Sequence, residues 1–92
     1  MPPFLTGSHA YGTPTAESDI DICVLLDDKD LQELQTRCTA TQINQFRWMA
    51  YSGKLNLIVF LDATEMQRWY DVNQKLIAAK PVTRDQAIAA FN

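Results

Sequence analysis

Residues 4–26 read FLTGSHAYGTPTAESDIDICVLL, and their order is a short apolar run ending in Gly7-Ser8, a turn-rich loop His9–Ser18, and a second apolar run opening with Asp19-Ile20-Asp21. That pattern predicts strand, polar loop, strand. In the second run Ile20, Ile22, Val24 and Leu26 alternate with Asp19, Asp21, Cys23 and Leu25. A period of two puts both carboxylates on one face and a β-branched, apolar row on the other. Two such acids lie about 6.5–7 Å apart along the backbone, each residue rising about 3.3 Å, so their side chains can converge on one divalent cation or a close pair. Gly7 directly after a strand lets the backbone turn tightly and approach a ligand. Ser8 then opens a short helical turn, Ser8–Tyr11, with its hydroxyl beside free amide N–H groups that suit a phosphate. Gly12 is expected to close the turn in a left-handed conformation.

Apolar-Gly-Ser, about ten residues, then Asp-apolar-Asp-apolar resembles the signature of the DNA polymerase β-like nucleotidyltransferase superfamily in its smallest, single-domain form. The words TGSHAYGTPTAESDIDICVLL look especially like those of small bacterial and phage predicted nucleotidyltransferases. The resemblance implies that Gly7 and Ser8 hold the phosphates of an NTP and that Asp19 and Asp21 hold Mg²⁺, in a one- or two-metal site. Relatives that catalyse transfer carry a third carboxylate on a later strand, in an apolar-Asp-apolar context. The matching segment here is Leu55-Asn56-Leu57-Ile58-Val59-Phe60, so Asn56 stands where the acid is expected. An amide can coordinate a metal through its oxygen or hydrogen-bond a hydroxyl, but it cannot take up a proton or neutralise cation charge.

Two functions follow from the resemblance. One is a Mg-dependent nucleotidyltransferase moving a nucleoside monophosphate from an NTP to an acceptor: protein, RNA or small molecule. The other is a catalytically impaired nucleotide-binding or regulatory module, similar to antitoxin subunits that act on a separate helical toxin-like partner. A third reading, an acidic strand end with no ligand, leaves a Gly-Ser turn and an acid pair at family spacing without a purpose.

With 92 residues the chain is expected to form one domain, 1–92, and 47% hydrophobic residues suffice for one modest core. A net charge of −3 gives no footprint for non-specific nucleic-acid binding, although Arg47, Lys54 and Arg68 are candidates for a local basic patch. Cys23 and Cys38 show no CxxC and read as thiols in a reducing compartment. Met1-Pro2-Pro3 lacks a basic leader and no apolar run reaches the ~18–20 residues of a membrane span, so a cytoplasmic protein with no membrane association is expected.

Along the chain, Asp27-Asp28-Lys29-Asp30 predicts a helix start with Asp28 as N-cap, and Leu31, Leu34 and Cys38 supply its apolar side. The segment 42–60 predicts a hairpin, INQFRWMAY and KLNLIVF joined at Ser52-Gly53, whose second strand can carry Asn56 on the face of the aspartates. Thr64-x-x-Gln67 predicts a capping box for a helix with the stripe Met66, Trp69, Tyr70, Asn73, Leu76 and Ile77, ended by Pro81. Thr83-Arg84-Asp85-Gln86 predicts a second capping box and a terminal helix with Ala87, Ile88 and Phe91 on one side. Arg84 in its first turn opposes the helix dipole and points to another partner. Tyr11 and Thr13 are candidates to line a pocket, and the lone His9 to contact a ligand. The expected architecture is α/β (α+β), nucleotidyltransferase-like: a mixed sheet of about four strands with helices packed mainly on one face.

Overall fold

The computed structural model describes residues Met1–Asn92. Its elements are β1 Phe4–Thr6, α1 Ser8–Tyr11, β2 Ile20–Leu25, α2 Asp28–Gln35, β3 Thr39–Asn44, β4 Arg47–Ser52, β5 Leu55–Phe60, α3 Ala63–Ala78 and α4 Arg84–Phe91. The strands form one sheet in the order β1-β2-β5-β4-β3, with β2 and β5 parallel and every other neighbour antiparallel. The parallel pair exists because α2 and the β3–β4 hairpin intervene between its members, carrying the chain back to where β2 began. The architecture is the expected mixed α+β one.

Each face of the sheet has its own core. On one, Cys23, Ile58, Phe60 and Met66 are buried together with Phe4, Leu25, Met49 and Trp69 around them, under α3. On the other, Leu31, Ala50 and Val59 are buried with Val24, Leu34, Leu57 and Cys38, under α2. Alternation along β2 and β5 decides the assignment: Cys23 and Leu25 point to α3, Val24 to α2. The α3 stripe packs as read, with Met66, Asn73 and Leu76 buried and the Tyr70 ring edge-on to Phe4 at 5.2 Å. Both cysteines are free thiols, Cys23 buried and Cys38 half-buried.

The sheet has five strands rather than four. The additional strand, β3, comes from Thr39–Asn44, and the segment read as one strand from Ile43 is broken by a turn at Gln45-Phe46. The Asn44 side chain makes that break, its Oδ1 accepting from Phe46 N at 2.9 Å. The following turn lies one residue on from Ser52-Gly53: Ser52 pairs with Leu55, so Gly53-Lys54 is the two-residue loop, and Gly53 takes φ 59° there.

Two helix caps also move. Asp27, not Asp28, caps α2, accepting from Asp30 N at 2.8 Å, and Asp62 rather than Thr64 caps α3, accepting from Glu65 N at 2.9 Å. In both places a second polar residue stood beside the true cap, and the extended backbone of the residue leaving the strand selected between them. The Thr83–Gln86 capping box of α4 forms as expected. No basic patch forms from Arg47, Lys54 and Arg68, because Lys54 sits in the turn at the far end of β4 from Arg47. Its Nζ donates to Ala16 O at 2.6 Å, while Arg68 pairs with Glu65 and Arg47 lies over the Trp69 ring. No helix is long and apolar enough to cross a membrane.

Candidate active site

The site is built on one row across the sheet. Thr6 at the end of β1 pairs with Asp21 of β2, and Asp21 pairs with Asn56 of β5. The chain leaves that row at Gly7, whose φ of 72° turns it into α1. A side chain at Gly7 is excluded twice over: the backbone angle disfavours it, and a Cβ there would run into Asp21 Oδ2. Glycine thus allows the loop to sit against the carboxylate. Gly7 O accepts from Ala10 N at 2.9 Å and from Tyr11 N at 3.1 Å, which closes α1 around it. The first amides of such a turn have no partner within it and stay available to an anion. Gly12 ends α1 with φ −107°, an extended conformation rather than the expected left-handed one; its N–H still donates to Ser8 O at 3.0 Å.

Position 7 is held from behind by the buried polar pair of the fold. Asn73 of α3, 1% exposed, accepts from Thr6 Oγ1 at 2.7 Å and donates to Leu5 O at 3.0 Å. The one amide side chain of the α3 stripe therefore fixes β1 immediately before the Gly-Ser turn.

Asn56 lies on the face of the aspartates, as the alternation allowed. Its Nδ2 donates to Asp21 Oδ1 at 3.0 Å and, at 3.4 Å, to Asp19 Oδ2. The amide bridges the acid pair. Burial raises the Asp21 carboxyl above its usual range and neighbouring Asp19 adds to the rise, while the Asn56 hydrogen bond and His9 act against it. No group of three or more His, Cys, Asp or Glu side chains is gathered about one point, so the acidic donors number two, Asp19 and Asp21. Two hard carboxylate oxygen donors at a strand end are of the chemistry that Mg²⁺ prefers, and an ion held by so few protein ligands keeps several waters.

These residues form one wall of a cleft of about 790 Å³. Gly7, Ser8, Asp19, Asp21 and Asn56 all line it, together with Tyr11 and Thr13 as expected. Helix α4 supplies a further part of the lining, through Arg84, Ala87, Ile88 and Phe91. Two contacts place that helix: Val82 N donates to Tyr11 O at 2.8 Å, and the Phe91 ring stacks on Trp69 at 4.1 Å and 22°. His9 does not line the cleft; its Nε2 lies 3.4 Å from Ser18 O, across the loop. Of the α4 residues here, Ala87, Ile88 and Phe91 were legible in the sequence as one side of a helix and Arg84 by its charge at the helix start, but nothing in the sequence turned that side to the cleft.

The family model for the nucleotidyltransferase domain matches residues 4–82 of the chain. No curated protein and no solved structure matches it. The matched span takes in the Gly-Ser turn, both aspartates, Asn56 and the whole sheet, and stops just short of α4. By that match, laid over a Gly-Ser turn, an acid pair and their partner strand in register, the chain belongs to the nucleotidyltransferase domain family.

Proposed function

We propose that this domain is a Mg²⁺-dependent nucleotidyltransferase that moves a nucleoside monophosphate from an NTP to an acceptor hydroxyl. The observation that carries the reading is the single row Thr6–Asp21–Asn56, which brings the Gly7-Ser8 turn, the acid pair and the third strand to one end of one cleft. Gly7 and Ser8 hold the phosphates through backbone amides and the Ser8 hydroxyl. Asp19 and Asp21 would hold Mg²⁺, which when bound neutralises phosphate charge and favours departure of pyrophosphate. In the transfer, the acceptor oxygen bonds to the α-phosphorus, the bond from that phosphorus to the bridging oxygen breaks, and pyrophosphate leaves. Asn56 orients the acid pair and the acceptor, and since an amide takes no proton, the acceptor proton goes to the substrate or to water.

Titration of ATP, GTP, CTP and UTP with and without Mg²⁺, followed by mass spectrometry, tests this. Metal-dependent binding with transfer of one nucleotide is expected, and Asp21→Ala should abolish the binding. Metal-independent binding, or an Asp21→Ala variant that binds as wild type does, rejects the assignment.

One observation favours a second reading. Asn56 donates to both carboxylates where active relatives place a third acid, which suits a catalytically impaired nucleotide-binding or antitoxin-like regulatory module acting on a helical toxin-like partner. Asn56→Asp separates the two: transfer that appears only in the variant supports the impaired module, and transfer by the wild type eliminates it.

A further inference from the structure

The cleft is lined by two carboxylates and by one cationic side chain, Arg84. Arg84 lines the same cleft as Gly7, Ser8, Asp19 and Asp21, two residues past the end of the segment that the family model matches. It is exposed, and the ion pairs of the molecule are Arg37–Glu33 and Arg68–Glu65, so its guanidinium is uncommitted. Its place is nonetheless defined. The capping box fixes the first turn of α4, Val82 N is tied to Tyr11 O, and Phe91 at the other end of the helix is stacked on Trp69. Arg84, Ala87, Ile88 and Phe91 follow at helical spacing, so the helix turns one continuous stripe to the cleft with the cation at one end and apolar side chains at the other.

We infer that Arg84 is the protein's own cation for the polyphosphate, binding the β- and γ-phosphates and thereby orienting the α-phosphorus toward Asp19, Asp21 and Asn56. This rests on the nucleotidyltransferase reading and adds to it the residue that selects a triphosphate over a monophosphate. A guanidinium suits the task because its planar fork donates two parallel hydrogen bonds to phosphate oxygens and stays charged at every working pH. Its position also explains a cation at the start of a helix, where the dipole disfavours one: the charge faces phosphate, not the helix. The apolar end of the stripe, Ile88 and Phe91, is left for the nucleoside.

The test compares wild type, R84A and R84K for Mg²⁺-dependent binding of the preferred NTP and of the matching NMP, with thermal melts of all three. R84A is expected to weaken NTP binding about tenfold or more, the scale of one charge-assisted pair. NMP binding and the melting temperature should hold, and R84K should recover part of the NTP affinity. R84A that binds NTP as wild type does, or that loses NTP and NMP equally, overturns the assignment while leaving the nucleotidyltransferase reading intact. A wild type that binds no NTP overturns both.

Discussion

One face of the sheet holds two surfaces that share strands but not purposes. At one end of β2 and β5, Asp19, Asp21 and Asn56 open into the cleft; further along, Cys23 and Phe60 are sealed under Met66 of α3, with Ile58 and Trp69 at the boundary, packed in the core and lining the cleft. The same period of two puts both sets on the same side, so what separates them is cover alone. Helix α3 lies over the apolar end, and the carboxylates open instead into the cleft of about 790 Å³ that α4 helps to line. Like charges held together at the open end cost stability, whereas the sealed end supplies it.

The contrast can be broken most severely at the sealed end. Phe60→Ala removes a 1% exposed ring that packs against Trp69 at 5.7 Å, and should cost about 3–5 kcal/mol in denaturant melts, a large part of the stability of so small a domain. Unchanged melting would show that the two ends are not distinct. Next comes the junction between them. Asn73→Ala leaves Thr6 Oγ1 and Leu5 O without their partner and should cost about 2–4 kcal/mol. Because it frees the strand that carries Gly7, nucleotide affinity should fall as well, even under conditions where the variant is still folded.

The smallest effect has the opposite sign. Burial raises the Asp21 carboxyl above its unfolded value, so the folded protein holds this proton more tightly than the unfolded chain does. Stability from this group is therefore full below the ordinary carboxylate range and is lost as pH rises through the raised value. Asp21→Asn should stabilise the metal-free protein at neutral pH, by less than about 1 kcal/mol since water still reaches the site, and should flatten the acid limb of its stability profile. A variant less stable than wild type at pH 7 would mean that Asp21 is a structural residue and not one held at a cost for binding.

The sheet face that bears the site was legible because its cues are local. Asp19, Asp21 and Asn56 follow from alternation in two short runs, and Gly7-Ser8 from a glycine at a strand end. Strand β3 was not legible, since Thr39–Asn44 is exposed along nearly its whole length and shows no alternation; pairing with β4 makes it a strand. The caps at Asp27 and Asp62 were ambiguous because Asp28 and Thr64 offered similar chemistry beside them, and only the backbone geometry separates such neighbours. That α4 faces the Gly-Ser turn could not be read at all. It depends on a backbone hydrogen bond between Val82 and Tyr11 and on a ring stack between Phe91 and Trp69; periodicity put each ring on an apolar stripe but could not say which stripe meets which.

The Asn73 tether also bears on the order in which the protein comes into being during synthesis. Thr6 and Asn73 are separated by 67 positions, so a nascent chain that has emerged as far as Phe60 already carries Gly7, Ser8, Asp19, Asp21 and Asn56 but not the residue that clamps β1. Closing so long a loop comes late, after the local turns and hairpins have formed. A fragment ending at Phe60 would therefore bear every motif residue and lack the side chain that clamps β1.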